Sequence, residues 1–174
     1  MIQAAAGACI TTFVCTAAWL DATTRRIPNQ LSVAGLAAAL ILRAPLGVDA
    51  IQNGLTGACI ALLLSLFMYA LRAIGGGDVK LLTGIGAFMG SSETVGAIAL
   101  MAVFGAAFAL VSVVRRGVLP LLLLYTVDLV KSLRSFGRAG QLRKLESPGS
   151  LTIPYAVPIA AGTLIWWFGR GIQL

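Results

Sequence analysis

AIQNGLTGACIALLLSLFMYAL, residues Ala50 to Leu71, runs for 22 positions without a charge. The hydrocarbon core of a bilayer is about 30 Å thick, and about 20 apolar residues of helix cross it. A stretch that is apolar on every side has no face to offer water, so this run places the chain in lipid. Working outward from it, similar runs occupy Ile2–Leu20, Ile27–Leu42, Thr94–Val114 and Leu151–Phe168, with a shorter one at Val79–Gly90. The whole chain of 174 residues is 59% hydrophobic and 11% charged, with a mean hydropathy of +0.94. A soluble domain is nearer 45–50% apolar and about a quarter charged, so a water-soluble globule, a disordered segment and a disulfide scaffold are all excluded. The runs are rich in Ala, Gly and Leu and lack β-barrel alternation. The expected fold is all-α: a polytopic membrane protein of six transmembrane helices, with residues 1–174 forming a single transmembrane domain.

Composition narrows the chemistry. Histidine is absent, which removes Ser-His and Cys-His nucleophile pairs and the HExxH zinc site. Cys9, Cys15 and Cys59 lie in apolar runs without CxxC spacing and read as small buried hydrophobes. No metal or cofactor is expected. The net charge of +7 would suit a nucleic-acid partner in a soluble protein. In a membrane chain it marks basic cytoplasmic loops, so the expected partners include the lipid bilayer and no nucleic acid. Loops one, three and five carry Arg25, Arg26, Arg72, Lys80, Arg115, Arg116, Lys131, Arg134, Arg138, Arg143 and Lys144, whereas the other side has Arg43 and Arg170. Both termini are therefore expected outside, with Asp21 and Asp78 at the cytoplasmic side. In loop five, Leu129, Leu133 and Phe136 share a helical face opposite Lys131, Arg134 and Arg138, the pattern of an interfacial amphipathic helix on the inner leaflet.

Of six acidic residues, Asp49 and Glu93 fall in short outer loops, and Asp128 and Glu146 in the basic loop. Asp21 and Asp78 stand at the edges of apolar segments, where carboxylates are costly. Asp78 follows Gly75, Gly76 and Gly77, whose lack of side chains admits unusual backbone and close approach. A helix starting at Val79 would favour a carboxylate just before it. From Val79 to Met89 that helix is about 16 Å long, half the hydrocarbon thickness, so its start can be sunk in a cytoplasm-open recess. Two neighbouring carboxylates tend to share one proton. One then acts as base on water while the other polarises a peptide carbonyl, hydrolysing a peptide bond without His, Cys or metal. Blander readings stand beside this one. Asp21 can simply pair with Arg25 or Arg26, and the glycines can form only a turn. Lys80 could serve a serine–lysine hydrolase, but no motif places a serine for it. The two aspartates could instead form a relay in a non-enzymatic subunit or a proton-coupled transporter, which would need a polar path to both faces.

Asp21-Ala-Thr-Thr-Arg-Arg-Ile-Pro-Asn29 resembles the first catalytic motif of type IV prepilin peptidases, an Asp followed six residues on by Ile-Pro-Asn. Gly75-Gly-Gly-Asp-Val-Lys-Leu81 resembles their GxGDxKL box, and Pro154-Tyr155 looks like a late Pro-Tyr element of that family. The resemblance implies an intramembrane aspartic endopeptidase of the GxGD class with Asp21 and Asp78 as the catalytic pair. Gly75, Gly77, Lys80, Pro28, Asn29, Pro154 and Tyr155 would support them. The implied substrate is a type IV prepilin of a bacterial pilus, cut at the cytoplasmic face of the inner membrane just before its hydrophobic helix. Bifunctional members also N-methylate the new terminus through a long N-terminal segment, commonly with paired CxxC motifs. This sequence has no CxxC, and the first span starts at Ile2, which points to the short peptidase-only branch of Tad/Flp systems. Archaeal preflagellin peptidases are similar in chemistry but usually carry additional soluble sequence. Presenilin-like proteases fit less well, since no Tyr-Asp precedes the box.

Overall fold

A computed structural model describes residues 1–71, 73–115, 155–172 and 174. The chain divides into one unit of Met1–Gly105 with Pro154–Leu174 and another of Ala106–Ile153. Among the described residues there is no strand. The helices are α1 (Ile2–Thr24), α2 (Asn29–Arg43, followed by a 3-10 turn at Ala44–Leu46), α3 (Val48–Ala70), α4 (Gly76–Met89), α5 (Ser91–Arg115) and α6 (Ala156–Arg170). Four segments, Ile2–Thr24, Asn29–Leu46, Val48–Ala70 and Ser91–Ser112, are long and apolar enough to cross a membrane. The all-helical membrane class is therefore as expected. At 14 and 15 residues, α4 and α6 are shorter than a full crossing requires.

Helix ends follow local chemistry. Arg25 turns left-handed (φ 55°) and its amide returns to the Asp21 carbonyl, closing α1. Pro28, extended at φ −63° and ψ 142°, then opens α2; a residue before proline is pushed out of the helical region. Gly90, at φ 78°, makes the one-residue corner between α4 and α5, a conformation that suits glycine. The first helix carries the uncharged run Ile2–Leu20 on through Asp21 to Thr24. The fourth begins at Gly76 rather than Val79, so Asp78 lies inside its first turn. The amphipathic stretch at 129–136 lies outside the described residues.

Helices α1 and α6 run antiparallel. Asp21 at the end of α1 meets the start of α6, while Gln3 near its beginning meets Ile172. The tightest crossing joins α3 and α4. A Cβ added at Gly57 would stand 2.3 Å from the Gly86 carbonyl oxygen, and one at Gly86 would stand 2.5 Å from that of Gly57. Small residues let the two backbones touch, which is how helices gain packing where lipid offers no hydrophobic drive. The Phe13 ring fills the gap between Gly35 of α2 and Gly84 of α4. It continues into Phe88 at 6.3 Å, which meets Trp167 edge-on at 6.5 Å. This buried aromatic row ties α1, α4 and α6 together.

The end of the bundle away from Asp21 is held by polar contacts. Glu93 lies in the first turn of α5, where its Oε2 accepts the Trp166 indole N–H at 3.0 Å and meets Arg170 Nε at 3.4 Å. The Arg170 guanidinium lies 5.1 Å over the Trp166 ring. Arg43 is not a loop residue at all. It is fully buried in the last turn of α2 and donates to carbonyls of α3 and α4.

Candidate active site

Each of the two aspartates accepts a hydrogen bond at the start of a helix. Asp78, the third residue of α4, takes the Gly75 N–H on Oδ2 at 3.0 Å. This is one arm of a capping box; the other arm has no counterpart, since Gly75 lacks a side chain. Asp21, near the end of α1, takes the Ala156 N–H on Oδ2 at 3.1 Å, at the first residue of α6. Helix N-termini carry partial positive charge and free amides, so both positions suit a carboxylate.

Their surroundings differ. Asp78 is buried, at 7% exposure, whereas Asp21 is half-buried. Asp78 belongs to a helix outside the four of spanning length, and its carboxyl is pushed above the ordinary carboxylate range. Burial is the main cause. The Gly75 amide opposes it, and the negative charge of Asp21 adds to it.

Residues around the pair fall into place unevenly. The Lys80 ammonium donates to Asn29 Oδ1 at 2.7 Å, so the second box is joined to the first by its own lysine. Pro28 stands at the cap of α2 beside that asparagine. Gly75 has φ −84°, and none of the three glycines has positive φ, so left-handed backbone does not explain them. A Cβ at Gly77 would rest 3.6 Å from Ile27, an ordinary contact. Tyr155 caps α6 and lies 3.7 Å from where a Cβ on Gly105 would be. Pro154 is outside the described residues. What sequence reasoning missed is the Ala156 amide on Asp21, since a backbone donor 135 positions away leaves no side-chain signal.

Residues 8–110, which include both aspartates, match the type IV leader peptidase family. The chain belongs to that family. It is therefore a prepilin leader peptidase, a hydrolase. Among individual curated proteins and solved structures there is no significant match. The peptidase's match covers more than half of its length and ends before α6, so Ala156, which donates to Asp21, lies beyond the matched residues.

Proposed function

We propose that this peptidase is an intramembrane aspartic endopeptidase of the GxGD class, with Asp21 and Asp78 as its catalytic dyad. Its substrate would be a type IV, Flp-like prepilin, cut at the cytoplasmic face of the bacterial inner membrane. The observation that carries the reading is that two aspartates on different helices each accept an amide at a helix N-terminus, one of them buried; burial biases that one, Asp78, toward its protonated form. In this scheme Asp78 holds the shared proton on the oxygen that Gly75 leaves free and donates it to the scissile carbonyl. Asp21, held by Ala156, takes a proton from water as the oxygen attacks the carbonyl carbon. The gem-diol then collapses, Asp21 returns its proton to the leaving amine and Asp78 recovers its own.

A prepilin is itself a membrane helix, so the bond to be cut must leave helical geometry near the interface. The bare surface of Gly75–Gly77 supports this step, because neither backbone strain nor internal crowding accounts for three glycines there. With the N-terminus outside, the first three spans would by themselves put Asp21 and Asp78 on the same, cytoplasmic side, in line with the excess of basic residues in the same loops. Membership of a peptidase family speaks against the non-enzymatic subunit or transporter.

The test is to incubate purified protein in lipid with candidate prepilins and sequence the product termini. The expected product begins at the first residue of the mature pilin, and EDTA leaves the rate unchanged. Cleavage that requires added divalent metal would sink the dyad mechanism.

A further inference from the structure

Away from the two aspartates, Arg43 is buried within the bundle. A buried arginine in a membrane helix is costly and normally pairs with a carboxylate or lines a functional path. Arg43 has no exposed surface, and no carboxylate among the described residues forms an ion pair with it. Its guanidinium spends its donors on backbone instead. Nε donates to the Ala87 carbonyl at 3.0 Å, Nη2 to that of Phe88 at 3.0 Å, and Nη1 to that of Ala50 at 3.2 Å. Ala87 and Phe88 are in the last turn of α4, where carbonyls have no partner within the helix and the dipole is negative. A cation placed there satisfies both needs. The slot is cut for it: a Cβ on Gly54 of α3 would stand 2.6 Å from Arg43 Cδ.

The helix so held is the one that carries Asp78 in its first turn, about 15 Å away along its axis at 1.5 Å per residue. α4 is thus fixed to α2 at both ends, by Lys80 on Asn29 at its start and by Arg43 on Ala87 and Phe88 at its finish. We propose that Arg43 is a positioning residue for the peptidase: by capping the C-terminal end of α4 from inside the bundle, it sets the axial position of that helix and hence of the Asp78 carboxyl. The inference rests on the reading of Asp78 as catalytic. A hydrophobic side chain of similar length would fill the slot without gripping the carbonyls, leaving α4 free to slide or tilt. A displacement of about 1 Å at a reacting group can cost about a hundredfold in rate.

The experiment uses the full chain in lipid nanodiscs, with Arg43→Met, Arg43→Lys and Gly54→Ala. Cleavage kinetics on a prepilin are measured beside cysteine cross-linking of positions 29 and 80 in a background lacking Cys9, Cys15 and Cys59. Arg43→Met is expected to lower kcat by about tenfold or more while KM changes by less than about twofold. Arg43→Lys, which keeps one charged donor, is expected to recover most of that loss. Short-reagent cross-linking of 29 to 80 should fall in the Met variant and return in the Lys variant. If Arg43→Met does not fold, Gly54→Ala, whose methyl displaces the arginine side chain, is expected to show the same loss of kcat and cross-linking. Folded Arg43→Met or Gly54→Ala protein with unchanged kcat and unchanged cross-linking overturns the proposal. The cross-link does not depend on chemistry, so activity remaining in Asp78→Asn would remove the dyad reading, while the cross-link would still show whether Arg43 fixes α4.

Discussion

Lys80 Nζ donates to Asn29 Oδ1 at 2.7 Å, joining two sequence motifs that stand 51 positions apart. The contact assigns each a use: the asparagine receives the ammonium, and the lysine is directed to α2. It also gives α4 a polar tie at the end that carries Asp78.

That tie is exposed, so its worth is modest, about 1 kcal/mol or less. Lys80→Gln, which can still donate to Asn29, should keep turnover close to that of the parent. Lys80→Met should lose activity by about fivefold, the rate equivalent of about 1 kcal/mol. Equal activity in both variants, read from initial cleavage rates, would remove any role for the contact.

Asparagine at either aspartate keeps an oxygen to accept the same amide, from Gly75 at position 78 and from Ala156 at position 21. Asp21→Asn and Asp78→Asn should therefore retain the fold while losing cleavage by about 10⁴-fold or more. The alanine variants should lose activity too, and also about 1 kcal/mol of stability through the missing cap. Comparison of thermal melts and product formation across the four variants separates capping from chemistry. An active asparagine variant at either position would exclude the dyad.

The raised carboxyl of Asp78 has a stability signature. A group whose folded-state pKa exceeds its unfolded value stabilises fully at low pH, below the unfolded value. That contribution is lost as pH rises through the folded value. Burial, with the charge of Asp21 acting in the same direction and the Gly75 amide opposing, places Asp78 in this class. Asp78→Asn carries no ionisable group there. Its melting temperature relative to the parent should rise as pH moves up through and beyond the carboxylate range. A difference that stays flat from acid to neutral pH would show that burial is not felt by the proton.

At the crossing of α3 and α4 the backbones leave no room for a side chain. Gly86→Val should force them apart and cost about 1–3 kcal/mol, as overpacking generally does. Activity should fall with it, because α4 carries Asp78. Denaturation in mild detergent gives the first quantity and prepilin cleavage the second; a stable, fully active variant would mean that the crossing relaxes without moving the site.

Much of this was legible in one dimension. Uncharged runs such as Ala50–Leu71 specify helices in lipid because the bilayer leaves the backbone few alternatives, and the two boxes single out Asp21 and Asp78 as candidates. Other features depend on tertiary partners. Arg43 closes an apolar run and reads as a loop charge; only the open carbonyls of α4 and the space left by Gly54 make it an internal cap. The start of α4 at Gly76 depends on the side chain of Asp78 reaching back to Gly75, an arm that hydropathy does not register. Glu93, too, looks like a solvated loop acid until Trp166 and Arg170 are brought to it.

The bond between Asp21 and the Ala156 amide also has a consequence for biogenesis. Synthesis proceeds from the N-terminus, so α1 reaches the membrane long before α6 has been translated. Throughout that interval Asp21 has no access to the amide that holds it in the finished protein. The carboxylate must stay near water or with some temporary partner, because lipid would exact a high energetic cost for it. Arrival of the last helix therefore does more than add a wall to the bundle. It completes the surroundings of a residue laid down at the beginning, and a nascent chain stalled before α6 lacks that contact even with both aspartates already in place.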